Sequence, residues 1–202
     1  FSFLYLDSGA LYRAITLYAM EHDMVLADGS IDTRSLVAAL PDIDIHFEYA
    51  PEGSRTFIGD RCVEKEIRTI EVSSHVSPVA VIPEVRDFVD DILVGYGKNK
   101  RIVMDGRDIG TAVFPHADLK IFMTANDNVR AERRLKEMRA SGQNPDFNEV
   151  LENLKSRDYI DSHREKSPLR QAEDAVVLDN SDMTLEDQMV WVKNLVKEKF
   201  GE

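Results

Sequence analysis

The sequence predicts an α/β fold in which helices flank a parallel sheet, and two observations lead to this prediction. Apolar runs at 102–104, 119–125 and 175–180 are continuous rather than alternating, which is typical of strands covered on both faces. The last two runs are followed by stretches with helical spacing, at 127–140 and 184–199. Strands that alternate with helices in this way favour a parallel sheet.

The chain begins with a predicted strand that leads directly into a predicted helix. The apolar run ends at Asp7 and Ser8, which are both good helix caps. Leu11, Ile15 and Tyr18 follow at helical spacing, so we expect this first helix to bury a single stripe.

A small antiparallel insertion is predicted at 30–72. Apolar and polar residues alternate over 43–49, PEGS at 51–54 is a turn sequence, and Gly59 with Asp60 favours a second tight turn.

Two further helices are bounded by recognisable start and stop signals. Pro83 is a good first helical residue, and the apolar pattern after it ends near Gly95 and Gly97. Thr184 and Asp187 have the spacing of a capping box at the start of the final helix. The residues predicted to face inward in these two helices are Val85, Phe88, Val89, Ile92, Leu185, Met189, Val192 and Val196.

Residues 155–170 are interpreted as a lid. The helical pattern that starts at Phe147 becomes steadily more charged and passes into a charged loop that ends near Pro168. Such a segment has little to bury, so it is either a solvated excursion or a lid that becomes ordered over a ligand. The predicted core domain then consists of 1–29, 73–154 and 171–202.

Composition excludes several classes of function. The formal net charge of −12 disfavours nucleic acid and anionic membranes as partners. No run reaches the roughly 20 apolar residues of a membrane span. The one cysteine, Cys62, has no partner for a disulfide, which fits a reducing compartment, and we expect a cytoplasmic protein. The absence of a long apolar stripe favours a monomer.

Several phrases in the sequence are similar to those of one enzyme family. LDSGALYRA, EIRT, SPVAVIPEVR, DGRDIGTAVFP and SRDYIDSHR-x-x-SPL occur in this order from residue 4 onward, and in this order and spacing they resemble the bacterial (d)CMP kinases, or cytidylate kinases. The resemblance implies a P-loop nucleoside monophosphate kinase fold, with the insertion binding the acceptor nucleotide and the lid closing over it. DGRDIGT together with the arginine-rich lid is the most specific part of the match.

The resemblance also implies roles for individual residues. It assigns the phosphate side of CMP to Ser8, Arg13, Arg107 and Arg164, the cytosine pocket to Ser77, Arg86 and Asp108, and the sugar with its nearby phosphate to Arg157 and Asp161. The Asp108 assignment is chemically sound, because the exocyclic amine of cytosine is a donor and a carboxylate accepts. Uracil has a carbonyl in place of this amine, so two hydrogen-bond acceptors, the carbonyl and the Asp108 carboxylate, would face each other. Arg157 and Asp161 are also spaced for an ordinary surface ion pair on a helix.

The implied activity is direct phosphoryl transfer from ATP to CMP or dCMP in pyrimidine nucleotide salvage. Arg107, Arg157 and Arg164 would act as the catalytic residues by aligning and neutralising the transferring group, with Mg²⁺ on the donor phosphates. Asp105 could hold a magnesium-bound water or simply cap the turn after its strand. Three arginines at 130, 133 and 134 could face the donor side, although an arginine-rich helix surface needs no ligand.

The sequence departs from the family pattern at two places. The family's first strand and its GxxxxGK[ST] phosphate loop do not occur in these 202 residues. We therefore expect the natural protein to have roughly 25 to 30 further residues at its amino end, the length of a strand, loop and helix. The chain without them should leave sheet edges unpaired and should be inactive alone. The second departure is Ile160, where several relatives carry another arginine.

Three alternatives remain open from the sequence. One is a nucleoside monophosphate kinase of different base preference, against which Asp108 and Ser77 argue. Another is a CMP-binding module without catalysis. The third is an acidic α/β domain with no small ligand.

Overall fold

A computed structural model describes residues 3–50, 53–98, 101–140 and 142–201. Pro51 and Glu52 of the predicted PEGS turn lie outside these ranges. The chain forms two compact units, one built from 1–114 with 163–168 and the other from 115–162 with 169–202. This division differs from the predicted domains, which stay a prediction.

The described residues of the first unit form five strands and four α-helices. In chain order they are β1 (Leu4–Asp7), α1 (Ser8–Glu21), α2 (Thr33–Ala39), β2 (Ile45–Ala50), β3 (Gly53–Ile58), β4 (Arg61–Cys62), α3 (Ile70–Ala80), α4 (Pro83–Gly97) and β5 (Ile102–Asp105). β1 and β5 pair in parallel, with Leu4 opposite Ile102 and Asp7 opposite Asp105. The parallel arrangement is confirmed, and it brings the two acidic strand ends to one edge.

The predicted antiparallel insertion is confirmed as the three-stranded sheet β2-β3-β4. Gly59 has φ 53° in the turn between β3 and β4, a conformation that favours glycine. The Tyr96 hydroxyl accepts from the Phe47 backbone N–H at 2.8 Å and thereby ties α4 to β2. Cys62 is exposed at the end of β4.

Helix α1 forms the centre of the first unit's core, and the prediction of a single buried stripe is wrong. Nine of its residues are buried, on all sides of the helix, because α3, α4, the β1-β5 pair and the insertion surround it. Tyr18, predicted to be buried, is only partly so.

The second unit contains β6 (Ile121–Thr124), α5 (Asp127–Ala140), α6 (Phe147–His163), β7 (Val176–Asp179) and α7 (Leu185–Phe200). β6 and β7 pair in parallel, and the core is formed by Ala131, Leu135 and Val150. The Thr184–Asp187 capping box is confirmed.

The continuous apolar strands are not covered on both faces, so that prediction is wrong. Val103 is 50% exposed, Met123 is 58% exposed and Val177 is 46% exposed. Each belongs to a two-stranded sheet, and the described residues place no layer over these side chains.

The predicted inward face of the last helix is also partly wrong. Leu185 is 79% exposed and Met189 is 53% exposed rather than inward, because the described residues of the unit do not cover that part of α7. Residues 155–163 of the predicted lid continue α6, the non-helical part begins at Arg164, and the lid itself stays a prediction. Within the described ranges, no helix combines the length and apolar character needed to cross a bilayer.

Candidate nucleotide site

The carboxyl ends of β1 and β5 form the floor of the candidate site. The Ser8 hydroxyl donates to the Asp105 carbonyl oxygen at 2.7 Å, and the Tyr5 hydroxyl donates to Asp105 Oδ1 at 2.9 Å. Gly106 follows directly, and a Cβ there would collide with the Ser8 hydroxyl and the Ile109 side chain. Glycine is therefore required for the DGRD loop to approach the start of α1.

Asp7 does not cap α1 with its side chain, contrary to the prediction. Its carboxylate instead pairs with Arg68 at 2.7 Å, and Arg68 also pairs with Glu64 at 2.8 Å. Desolvation and then the neighbouring Asp7 charge raise the pKa of Asp105. Two carboxylates thus face one another at the sheet edge, one of them neutralised by Arg68.

A buried ion pair forms the centre of the site. Arg86 is 1% exposed and Asp108 is 5% exposed, and Arg86 Nη2 donates to Asp108 Oδ2 at 2.5 Å. Arg86 Nη1 donates to the Ala80 carbonyl at 3.1 Å, and the guanidinium lies 5.3 Å from the centre of the Tyr12 ring. Burial acts to lower the pKa of Arg86, but the charge of Asp108 and its hydrogen bond act in the opposite direction and the pKa is raised, so the group stays cationic.

Arg164 reaches the same carboxylate from the segment 163–168. Its Nη2 lies 3.3 Å from Asp108 Oδ1, while Nε and Nη2 donate to the Ser167 carbonyl at 2.9 and 2.7 Å. Lys166 pairs with Asp87 on α4. Both oxygens of Asp108 therefore accept from a guanidinium, one on α4 and one in this segment.

The other predicted residues of this unit lie around the pair. Arg13 Nη1 donates to the Ser73 hydroxyl at 2.6 Å and to the Ile67 carbonyl at 3.4 Å, which places it beside α3. Arg107 is exposed in the DGRD loop, and its charge acts on Asp105. Ser77 is partly buried on α3, three residues before Ala80.

The structure thus joins five predicted residues through the strand ends and the buried pair. These are Ser8, Arg86, Arg107, Asp108 and Arg164. Arg13 and Ser77 lie on the helices that surround this group. Arg157 and Asp161 belong to the second unit, where Asp161 is 8% exposed, and their roles stay predictions.

Sequence reasoning missed Asp90, which lies one turn after Arg86 on α4. Its Oδ1 is buried and makes no hydrogen bond to any residue that the structure describes. Burial and the charge of Asp108 raise the pKa of Asp90 to about 6. The available signal was its i,i+4 spacing from Arg86 on a predicted helix.

The three arginines at 130, 133 and 134 make structural contacts within the second unit. Arg130 pairs with Asp158 at 2.5 Å, Arg133 donates to the Asn180 side chain at 2.8 Å, and Arg134 lies 3.3 Å from Glu137. These contacts support the interpretation that the arginine-rich surface of this helix has a structural role and needs no ligand.

The donor set at the strand ends fits a hydrated magnesium ion. No cluster of three or more metal-binding side chains occurs in the described part of the chain, so no cage made only of protein ligands forms there. Mg²⁺ commonly uses one or two carboxylates and completes its shell with waters and substrate phosphates. Asp105, with Asp7 opposite it, can supply that carboxylate.

Comparison with known proteins decides the family. A model of the cytidylate kinase family matches residues 1–198. The chain belongs to the cytidylate kinase family. Relatives called cytidylate kinase include those of Parabacteroides distasonis, 52% identical, and Bacteroides thetaiotaomicron, 50% identical, each over 98% of this chain. The match covers 87% and 86% of their lengths. The cytidylate kinase of Flavobacterium psychrophilum is 47% identical over 96% of this chain and 86% of its own length.

Proposed function

We propose that this cytidylate kinase family member transfers the γ-phosphoryl group of ATP to CMP or dCMP, giving CDP or dCDP and ADP. The observation that carries the proposal is the buried Arg86–Asp108 pair at the edge of the parallel sheet. In open α/β sheets ligands bind outside the carboxyl ends of the strands. The family match over residues 1–198 supports the reaction class.

The buried pair supplies the chemistry needed to recognise cytosine. Asp108 offers acceptors to the exocyclic amine, and Arg86 offers donors to the ring nitrogen and carbonyl. Ser77, three residues before the Ala80 carbonyl that accepts from Arg86, adds a hydroxyl on the same side of α3. Uracil would set a carbonyl oxygen against the Asp108 carboxylate, and two acceptors that face one another have no proton to share.

Guanidinium groups bind the phosphate of the acceptor nucleotide. Arg13, Arg107 and Arg164 keep their charge at every accessible pH and match phosphate oxygens with paired N–H groups. Ser8 adds a hydroxyl beside Asp105. Arg157 and Asp161 are assigned to the sugar and the adjoining phosphate.

Catalysis follows from alignment and charge neutralisation. The attacking CMP phosphate oxygen is already ionised, so the transfer requires no general base. Arg107, Arg157 and Arg164 would stabilise the charge on the transferring group. Mg²⁺, when bound with ATP, neutralises donor-phosphate charge, and Asp105 is the residue suited to one of its waters.

A comparison of acceptors tests the function. The full-length enzyme is assayed with CMP, dCMP, UMP and AMP, and we expect CMP and dCMP to be preferred over UMP by roughly 10- to 100-fold in kcat/KM, the range of one mispaired buried polar group. Asp108→Asn should reduce kcat/KM for CMP by a similar factor and affect UMP less.

The control for this assay is Asp91→Asn, which changes an exposed carboxylate on α4. A melting curve of Asp108→Asn separates loss of folding from loss of recognition. Equal rates on CMP and UMP by the unchanged enzyme would contradict the assigned base pocket.

A further inference from the structure

Asp90 interacts electrostatically with both members of the Arg86–Asp108 pair, and it is one carboxylate more than the recognition of cytosine requires. Arg86 and Arg164 carry two positive charges, and both guanidinium groups bond to the single negative charge of Asp108. Asp90 adds the second negative charge. It lies four residues after Arg86, so the two side chains share one face of α4.

Asp90 occupies a position that stability alone would not select. Its buried Oδ1 has no hydrogen-bond donor among the residues that the structure describes. A buried acceptor without a partner is unfavourable, and a second carboxylate near Asp108 adds repulsion. Groups held in this way are concentrated at functional sites.

We infer that Asp90 is a positioning residue that sets the base preference of the pocket, acting on the ligand through Arg86 and Asp108. With Asp90 ionised, the two carboxylates balance the two guanidinium groups, and the Asp108 oxygens remain attractive to an amine. Without that charge the pocket is net positive, which disfavours an N–H donor and favours a carbonyl oxygen. Loss of the Asp90 charge therefore weakens CMP binding and lowers the ratio of kcat/KM for CMP to that for UMP. This inference rests on the proposed function.

The same charge makes base preference depend on pH. The pKa of Asp90 is raised to about 6, first by burial and then by Asp108, while Arg86 and Lys166 act in the opposite direction. Asp90 is therefore ionised above about pH 6 and neutral below it. The groups that face it come from its own helix, from α1, from the loop after β5 and from the segment 163–168: Arg86, Asp87, Tyr12, Asp108 and Lys166.

The experiment compares Asp90→Asn with Asp91→Asn in the full-length enzyme. The kcat and KM values for CMP and UMP are measured between pH 5 and pH 8. We expect Asp90→Asn at pH 8 to raise KM for CMP about tenfold with kcat within about twofold, and to lower the CMP/UMP preference about tenfold. Asp91→Asn should behave like the unchanged enzyme.

The pH dependence of the CMP/UMP preference is a measurement that would not change if Asp90 had only a structural role. The CMP/UMP preference of the unchanged enzyme should fall as pH drops through about 6, whereas that of Asp90→Asn should stay flat. CMP and UMP carry the same phosphate group, so the titration of that group affects both kcat/KM values equally and does not change their ratio. A preference that is equally pH-dependent in Asp90→Asn would overturn the inference.

Melting temperature distinguishes positioning from structural support. The folded-state pKa of Asp90 lies above its unfolded value near 4, so the unchanged enzyme loses stability as pH rises from about 4 through 6. The Asp90→Asn variant has no carboxylate to ionise at this position, so its stability does not fall in this way. It should melt no lower than the unchanged enzyme at pH 8. A large drop in its melting temperature would contradict the inference. An unchanged enzyme that does not prefer CMP would instead contradict the proposed function.

Discussion

At the scale of single residues, the Arg86–Asp108 pair should matter to stability as well as to recognition. Arg86→Met leaves Asp108 buried with one guanidinium partner, so we expect a loss of about 3 kcal/mol in the free energy of unfolding, at the low end for a broken buried pair. Arg86→Met with Asp108→Leu should recover much of it, because the buried charge is then gone. Urea denaturation of the single and double variants measures both.

The matched control for this prediction is Arg68→Met. Arg68 also bonds a carboxylate at the strand ends, but its side chain is 45% exposed, and pairs of that kind contribute about 1 kcal/mol or less. The prediction fails if both arginine variants lose the same stability.

Residue identities within motifs could be predicted from the sequence, whereas contacts between distant segments could not. Arg107 and Asp108 were found because DGRD follows a strand. The 5.3 Å approach of Tyr12 to Arg86, and the unpartnered oxygen of Asp90, depend on how α1, α4 and the end of β5 pack together. No local pattern encodes that packing.

At the scale of elements, the junction between β5 and α1 should be intolerant of added volume. Gly106→Ala places a methyl group against the Ser8 hydroxyl and Ile109, so we expect a loss of about 1–3 kcal/mol and a weaker Ser8–Asp105 hydrogen bond. Thermal unfolding measures the stability, and KM for CMP reports on the site.

Gly95→Ala is the control for Gly106→Ala. A Cβ at Gly95 meets nothing within 4 Å inside α4, so this change should stabilise the protein by about 0.5–1 kcal/mol through helix propensity. Similar losses in both variants would show that the close approach at Gly106 is not what limits the substitution.

Elements with strong start signals were predicted well, and elements whose signals conflict were not. The helix at Pro83 and the capping box at Thr184 match the structure. Helix α3 was missed because it contains Pro78, which normally marks a helix end, yet tertiary packing against α1 stabilises it. The helical pattern that starts at Phe147 did not reveal where the helix ends, because charged residues are compatible with a helix, and α6 continues to His163.

At the scale of the whole molecule, the two units should differ in how readily they open. The first unit has a core of 21 buried residues in the described structure, whereas the cluster of the second unit has three. Local opening is easiest where few apolar contacts are buried. We expect amides of α5 to exchange with solvent deuterium faster than those of α1.

Hydrogen exchange followed by mass spectrometry measures this difference peptide by peptide. Exposed turn residues among the described ranges serve as the fast reference in each unit. Equal protection in α5 and α1 would mean that burial does not rank the stability of the units.

The class of the fold followed from the sequence because short continuous apolar runs alternate along the chain with stretches of helical periodicity. The burial of those strands did not follow, since an apolar run reports which residues favour burial and not which surface lies against them. Val103 and Met123 show the difference, because both belong to continuous apolar runs and both are more than a third exposed.

Cys62 provides a practical route to observing the three-stranded insertion. It is the single cysteine in the sequence, and its side chain is exposed at the edge strand β4. A maleimide fluorophore would therefore attach at one defined position without removal of any other thiol. Changes in its emission on nucleotide addition would follow the surroundings of this sheet directly in solution.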